Sequence, residues 1–465
     1  MRNRILLITT VMSLALPGQI PDFTPPTPLI GAVLTNDTKA AKKLLDEGTD
    51  PNSTPFFGLT PLTIAIISAN KPLVTDLLAH GADVNAKDGN GSTTLMWAVG
   101  SDTPDLALVD EMLKRGVDPN VQNKFGESAL TWAVRRGHTQ TIERLKAAGA
   151  SDVAAIRKSV ESAVALLQKS GPQFVKVSGC VSCHHQSLPQ MAYAAARDRG
   201  LQVDAAVSDQ QVKAVLAMFK PIRERLEKGT ITLPNPGISI GYSLLGLEAE
   251  GYAPDETTKA MTMAIARTQT PDGSFGVMGA RAPLEASAFT STALSIRALQ
   301  AFGQGYDDKI AMAREWLKRA QPRIQEERSM KLLGLVWSKA DAKDIQQAAA
   351  DLIAQQRPDG GWAQLPGLES DAYATGQAMV ALNQAGALSA SDKTYQQGVA
   401  YLLRTQLADG SWVVRSRSSP FQPLKDSGFP HGRDQWISAA GTSWAAMALS
   451  LSQPKTSGQL VSGLF

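Results

Sequence analysis

Apolar residues recur early in the chain at helical spacing: Leu62, Ala65 and Ile66 are followed by Val74, Leu77 and Leu78. The arrangement returns four times. The phrases TPLIGAV from Thr27, TPLTIAI from Thr60, TTLMWAV from Thr93 and SALTWAV from Ser128 stand 33, 33 and 35 residues apart. A second phrase follows each one: GTDPN at Gly48, GADVN at Gly81, GVDPN at Gly116 and a shortened GAS at Gly149. Glycine after an apolar helical run marks a helix end, where a left-handed residue is needed. The two additional residues of the third unit fall in GSDTPD (Gly100 to Asp105), which a loop absorbs. Each unit predicts a pair of short helices. One pair cannot bury its apolar face alone, so four in a row predict a stack over residues 27–152.

From Val153 the period lengthens. Three phrases match one template: Gln269-Thr-Pro-Asp-Gly-Ser-Phe275, Gln356-Arg-Pro-Asp-Gly-Gly-Trp362 and Gln406-Leu-Ala-Asp-Gly-Ser-Trp412. Each closes one helical run (Met261 to Arg267, Ile345 to Gln355, Gln397 to Thr405) and precedes another (Ser291 to Phe302, Thr375 to Ala385, Thr442 to Leu451). Asp-Gly makes the turn, because glycine tolerates positive φ and aspartate bonds its own backbone. Six helical pairs are counted, beginning near Val160, Val212, Thr257, Ile310, Ile345 and Tyr395. Residues 152–157 hold no Gly or Pro, so a continuous helical junction is expected between the two periods.

The T-P-L units resemble ankyrin repeats, which implies a binding or spacer surface and a protein partner. The Q-x-x-D-G-S-W phrases resemble the QW motif of the terpenoid-cyclase and protein-prenyltransferase superfamily, over roughly Val153 to Pro454. That resemblance implies paired helices closed into a barrel of inner and outer rings. The fold class expected is all-α: an ankyrin solenoid, then an (α/α)6 barrel over residues 153–453, with 454–465 as a tail. The family's known chemistry is missing. Cyclases of this type protonate their substrate through D-x-D-D, an acid that must be held neutral. The nearest match is Glu369-Ser-Asp371-Ala372, with alanine in place of the last aspartate. Asp371 is thus expected as an N-cap, and only as a weak candidate for catalysis. Prenyltransferase zinc needs a barrel cysteine, and none follows His185; Gly179-Cys-Val-Ser-Cys183 does not match the G-C-G-E-Q thioester of complement-like relatives.

Among 465 residues only two are cysteines, and they lie together in Gly179-Cys180-Val-Ser-Cys183-His184-His185. C-x-x-C-H is the attachment signature of haem c. Cys180 and Cys183 would reach the two vinyl groups, and His184 would be the axial ligand of the iron. A redox disulfide and a structural zinc site are the rivals; the disulfide gains nothing from two histidines after it, and zinc usually draws its second ligand pair from a separate segment. Met191, Met218, Met278 and His431 are candidates for the sixth iron position. The turn stands where Asp-Gly stands in later hairpins, so it is expected on the same rim, at the start of an inner helix. Helix N-termini converging there favour haem propionates or an anionic ligand. The long insertion Val413 to Gln435 joins this rim with Arg415, Arg417, Lys425, His431 and Arg433. A solvated loop is one reading of it and a flexible basic lid the other. His185, Arg415, Arg417, His431 and Arg433 are the rim contacts this predicts.

Composition narrows the function classes. A net charge of +3 offers no field for nucleic acid, and 43% hydrophobic against 19% charged residues excludes disorder. Two arginines precede the apolar run Ile5 to Leu16, whose 12 residues fall short of the roughly 20 that span a bilayer. The layout is that of a secretory signal over residues 1–18, followed by a Pro-rich lead-in at 19–26. A secreted or periplasmic protein with no transmembrane span is expected. The reading that follows is an exported haem c protein for electron transfer or ligand sensing, docked through its ankyrin repeats. The alternatives are a cyclase-class enzyme or binder holding a polyisoprenoid-like apolar ligand in an aromatic-lined cavity, and an interaction scaffold without catalysis.

Overall fold

The computed structural model describes residues 27–53, 58–150, 153–231, 233–277, 281–418 and 424–455. The signal and lead-in expected at residues 1–26 lie outside them, as do Met278 and most of the tail. No strand occurs among the described residues, only isolated bridges such as Gln269 with Phe275. None of the described helices is long and apolar enough to cross a membrane. The chain divides into two compact units, Met1–Val153 and Ala154–Phe465.

In the first unit the four phrases become four helical pairs: α1 (Pro28–Leu34) with α2 (Thr38–Asp46), α3 (Pro61–Ile67) with α4 (Lys71–Ala79), α5 (Thr94–Val99) with α6 (Leu106–Lys114), and α7 (Ala129–Arg136) with α8 (Thr139–Ala147). Thr27, Thr60, Thr93 and Ser128 are the N-caps of the first helices, their hydroxyls accepting from the backbone N–H of Ile30, Thr63, Met96 and Thr131. Each first helix packs on the next first helix, so Leu62, Ala65, Ile66, Val74, Leu77 and Leu78 are all buried. Asn52 ties neighbouring repeats, donating to the carbonyl of Gly81 and accepting from the N–H of Asp83. The loop 100–105 carries the two additional residues, as the unequal spacing predicts.

The second unit is a closed ring. Its ring helices are α10 (Leu188–Arg197), α13 (Pro236–Ala249), α15 (Ala288–Phe302), α17 (Gln325–Trp337), α19 (Ala372–Gln384) and α21 (Gln435–Leu451); each packs on the next, and α21 returns to α10. The other helices are α9 (Val153–Ser178), α11 (Ala205–Phe219), α12 (Arg223–Lys228), α14 (Glu256–Ala266), α16 (Asp307–Arg319), α18 (Ala342–Ile353) and α20 (Lys393–Thr405). Of these α14, α16, α18 and α20 each touch the ring helices before and after them in sequence. Cross-helix pairs give the direction. Thr290 meets Glu326 and Gln300 meets Trp337; Glu326 meets Tyr373 and Trp337 meets Gln384. Gln190 lies against Gly246 and Arg197 pairs with Glu250, while Gly237 adjoins Ser291 and Glu248 pairs with Arg297. Moving forward on one helix moves forward on its neighbour, so these ring helices run parallel and start at one end. The seam between α19 and α21 is tight at Gly376, where a Cβ would stand 2.5 Å from the Trp444 backbone.

The three Asp-Gly phrases clasp this ring. Gln269, Gln356 and Gln406 each donate to the carbonyl of their own turn glycine and to a carbonyl of a second helix: Lys309 of α16, Thr394 of α20 and Ser159 of α9. The last of these joins the third phrase to α9 and closes the circle. The backbone N–H of Phe275, Trp362 and Trp412 donates to Thr292, Thr375 and Thr442 on the ring helices. α9 begins at Val153, ahead of the start expected near Val160, and continues past Pro172 to Ser178. The helix tolerates this proline, whose ring supplies no donor, and the adjacent Gly171 carbonyl accepts from Gln186.

Candidate functional site

The cysteine turn leaves α9 at Gly179 and enters α10 through a π-helical turn, Cys183–Ser187. It therefore precedes the first ring helix, at the end where the Asp-Gly turns precede α15, α19 and α21. Cys180 is exposed and Cys183 half-buried, both as free thiols. Burial, reinforced by the nearby Glu285 carboxylate, pushes the Cys183 thiol up to about 12. His184 and His185 are buried. Their Nδ1 atoms are 2.5 Å apart, and the Nε2 of His185 lies 2.8 Å from the Ser427 hydroxyl. Phe174 stacks on His185 at 4.6 Å and meets His184 edge-on at 5.3 Å, with Trp436 on another side at 5.8 Å. Burial holds the His184 imidazole neutral well below its usual range, with the His185 and Arg281 charges adding to it; burial alone lowers His185 to about 3. The Nε2 of His184 has no hydrogen-bond partner among the described residues.

The predicted rim contacts are placed differently from one another. His185 is not presented to the rim but enclosed behind His184, because Phe174 and Ser427 cover it. Arg415 is paired with Asp434 at 3.1 Å, and Arg433 is exposed. His431 sits 2.8 Å from the Ser411 hydroxyl of the third Asp-Gly turn. Arg417 donates to Gln364 at 2.7 Å, and Gln364 donates to Asp371 at 3.1 Å. The insertion is no loose lid at its described ends: Val414, Ser427 and Phe429 are buried, since apolar and hydroxyl groups there seat on α21. Of the candidates for the sixth position, Met191 is core of α10 and Met218 is exposed on α11.

Asp371 is the N-cap of α19 and accepts from the Ala374 N–H at 2.9 Å. Burial raises its carboxyl to about 6, opposed by those bonds. Ser287 caps α15 in the same way, so the dipole ends of two ring helices are already satisfied by their own side chains. The carboxyl that sequence reasoning missed is Glu326. It is 2% exposed and bonds both neighbours of α17 at once, accepting from Thr290 and Tyr373 at 2.9 Å each. Burial pushes it up to about 7 against the bonds from Gln377, Tyr373 and Thr290. Gln377 completes the cluster, its Oε1 buried without a partner. The run Gln325-Glu326-Glu327 stands where the missing Asp-Gly turn leads into α17, and an acidic pair entering an apolar helix was the one signal for it.

No group of three or more His, Cys, Asp or Glu side chains among the described residues is placed to hold a metal ion, which leaves the zinc reading without a ligand set. Haem c asks for less: two thiols on one turn and one imidazole nitrogen with an unengaged lone pair. Cys180, Cys183 and the Nε2 of His184 meet that requirement, and the packing of Phe174 and Trp436 fixes the imidazole ring.

Comparison with known proteins bears on the first unit. A family model described as ankyrin repeats (3 copies) matches residues 29–108, and a second, ankyrin repeats (many copies), matches 101–145. The RelA-associated inhibitor of Mus musculus is 39% identical over 67 residues, 14% of this chain and 8% of that protein. The chain thus covers only a small part of the length of that relative. Its N-terminal unit, in which four helical pairs stack behind hydroxyl caps, consists of ankyrin repeats.

Proposed function

We propose that this is an exported protein whose helical ring, a barrel of the terpenoid-cyclase type, carries a covalently attached haem c, and whose ankyrin repeats hold a protein partner. The observation that carries this reading is the state of His184: Nδ1 is engaged inside the protein while Nε2 has no partner among the described residues, one residue from a free thiol. Cys180 and Cys183 would anchor the group, His184 would bind its iron, and Phe174 with Trp436 would hold that imidazole in place. Haem supplies a one-electron iron centre suited to electron transfer or to binding a small ligand. The closure of six parallel helices and the three repeated clasps support the barrel assignment. Expression with an export signal in a host that matures c-type cytochromes tests the proposal. Purified protein should carry the mass of one haem and a Soret band, both lost in the Cys180→Ser, Cys183→Ser double variant. Haem-free protein from such a host would refute it.

A second reading, a cyclase-class enzyme or binder of an apolar ligand, draws its support from Glu326. A carboxyl kept near neutrality inside a ring is the kind of group that donates a proton. Asp371, engaged as an N-cap, is the weaker acid for that role. Turnover or binding of an isoprenoid alcohol that survives Asp371→Asn but not Glu326→Gln would favour this reading.

A further inference from the structure

Hydrogen-bond donors and acceptors around the two histidines admit a single arrangement of protons, and it begins at the backbone. The side-chain amide of Gln435 is oriented at both ends: Oε1 accepts from the Ser427 N–H at 2.9 Å, and Nε2 donates to the Gly432 carbonyl at 3.1 Å. The Ser427 hydroxyl donates its one proton to the same Oε1 at 2.7 Å. Toward His185 that hydroxyl can therefore only accept, so the Nε2 of His185, 2.8 Å away, carries a hydrogen. A neutral imidazole has one N–H, which leaves the Nδ1 of His185 as an acceptor. It faces the Nδ1 of His184 at 2.5 Å, and that nitrogen must then be the donor.

A second chain of bonds reaches His184 from the other side with the same result. Gln186 is oriented by accepting from the Ser182 N–H at 2.7 Å and donating to the Gly171 carbonyl at 3.0 Å. The Ser182 hydroxyl donates to Gln186 Oε1 at 3.2 Å, so it too is an acceptor toward the Nδ1 of His184 at 3.3 Å. Both neighbours require Nδ1–H on His184. Its Nε2 is then the bare nitrogen.

We propose that His185, Ser427 and Gln435, together with Ser182 and Gln186, are positioning residues that lock His184 in the Nδ1–H form, so that Nε2 permanently offers a lone pair to a metal. The inference rests on the haem reading for the identity of that metal, and the lock itself exists in the metal-free chain. It gives His185 a role that its distance from the rim denies it as a ligand contact. It also explains why the insertion before α21 returns to the ring at Ser427: the insertion delivers the acceptor that sets the relay. A partner that fixes the far nitrogen of a ligating histidine governs both its orientation and its basicity.

Long-range nitrogen–proton NMR of the full, haem-free chain with labelled histidine reads the two rings directly. His184 should be protonated at Nδ1 and His185 at Nε2. In the Ser182→Ala, Ser427→Ala double variant, which removes both constraints, the two rings should show a mixture of forms, while either single variant and Ser427→Thr should keep the single one. In haem-loaded protein, Ser427→Ala should shift the iron midpoint potential and Ser427→Thr should return it. His184 protonated at Nε2, or rings indifferent to the loss of both serine hydroxyls, would overturn the lock. A chain that never takes up haem but shows the expected ring forms would refute the haem reading alone.

Discussion

The Asp-Gly turns and the cysteine turn occupy equivalent places in their hairpins, and they treat their polar groups in opposite ways. In the first Asp-Gly turn, Gln269 donates to two carbonyls, and the Thr270 hydroxyl and Ser274 N–H hold the Asp272 carboxyl down to about 2. Gly273, at φ +96, leaves no room: a Cβ there would stand 2.4 Å from the Met312 carbonyl. In the cysteine turn, among the described residues, a Cβ at Gly179 (φ +68) would meet nothing within 4 Å and one imidazole nitrogen has no partner, while one thiol faces solvent. A turn whose donors and acceptors are all engaged builds the ring. A turn in the same position with groups left over is where chemistry has room to occur.

The largest effect that separates the two turns should come from filling their glycines. At Gly410, with φ +89, a Cβ would lie 2.6 Å from the Ser162 carbonyl. Gly410→Val should cost about 3 kcal/mol or more in urea unfolding, while Gly179→Ala should cost about 1 kcal/mol for its backbone alone. Equal losses would remove the contrast. The thiols sharpen it further. The thiolate is the reactive form, so burial should make Cys183 roughly a hundredfold slower than Cys180 toward iodoacetamide at pH 8, as read by peptide mass mapping. Comparable rates would mean that Cys183 is not enclosed.

Glu326 extends the comparison to the ring interior. Its folded carboxyl is raised from 4.5 to about 7, so the folded chain holds the proton more tightly than the unfolded one. Its contribution to stability is complete below pH 4.5 and is lost as pH rises through 7. Wild type should therefore weaken relative to Glu326→Gln between pH 5 and pH 8, by on the order of 2 kcal/mol. A difference that does not change with pH would show an ordinary carboxylate. The smallest expected effect is at the closing clasp, where Gln406→Ala removes donors from the Ser159 and Gly410 carbonyls and should cost about 1–2 kcal/mol in denaturant midpoint.

Much of the architecture was legible because it is written locally. Hydroxyl caps, turn glycines and the Gln-Asp-Gly phrases each act within a few residues or through a fixed period, so Thr60, Gly81 and Gln356 could be read in place. The placement of Asp371 as an N-cap follows from the same kind of local rule. The site was less legible, because its partners meet only when the ring closes. Glu326 lies 36 residues from Thr290 and 47 from Tyr373. His185 lies 242 residues from Ser427, and no spacing rule connects them. Read alone, the basic stretch from Arg415 to Arg433 suggests a mobile cover. Packed, it supplies Ser427 and Phe429 to the histidines and ties Arg415 to Asp434 and Arg417 to the distant Gln364.

The bond from Gln406 to Ser159 has a consequence for the order of assembly. The ankyrin stack can mature one unit at a time as it is synthesised, since each repeat needs only its predecessor. The ring cannot. Its first outer helix waits for a glutamine made almost 250 residues later, and until then two open edges of apolar helix face water. Completion is therefore a late, all-at-once event, and a chain interrupted before that glutamine would be left with a finished head and an unsealed body.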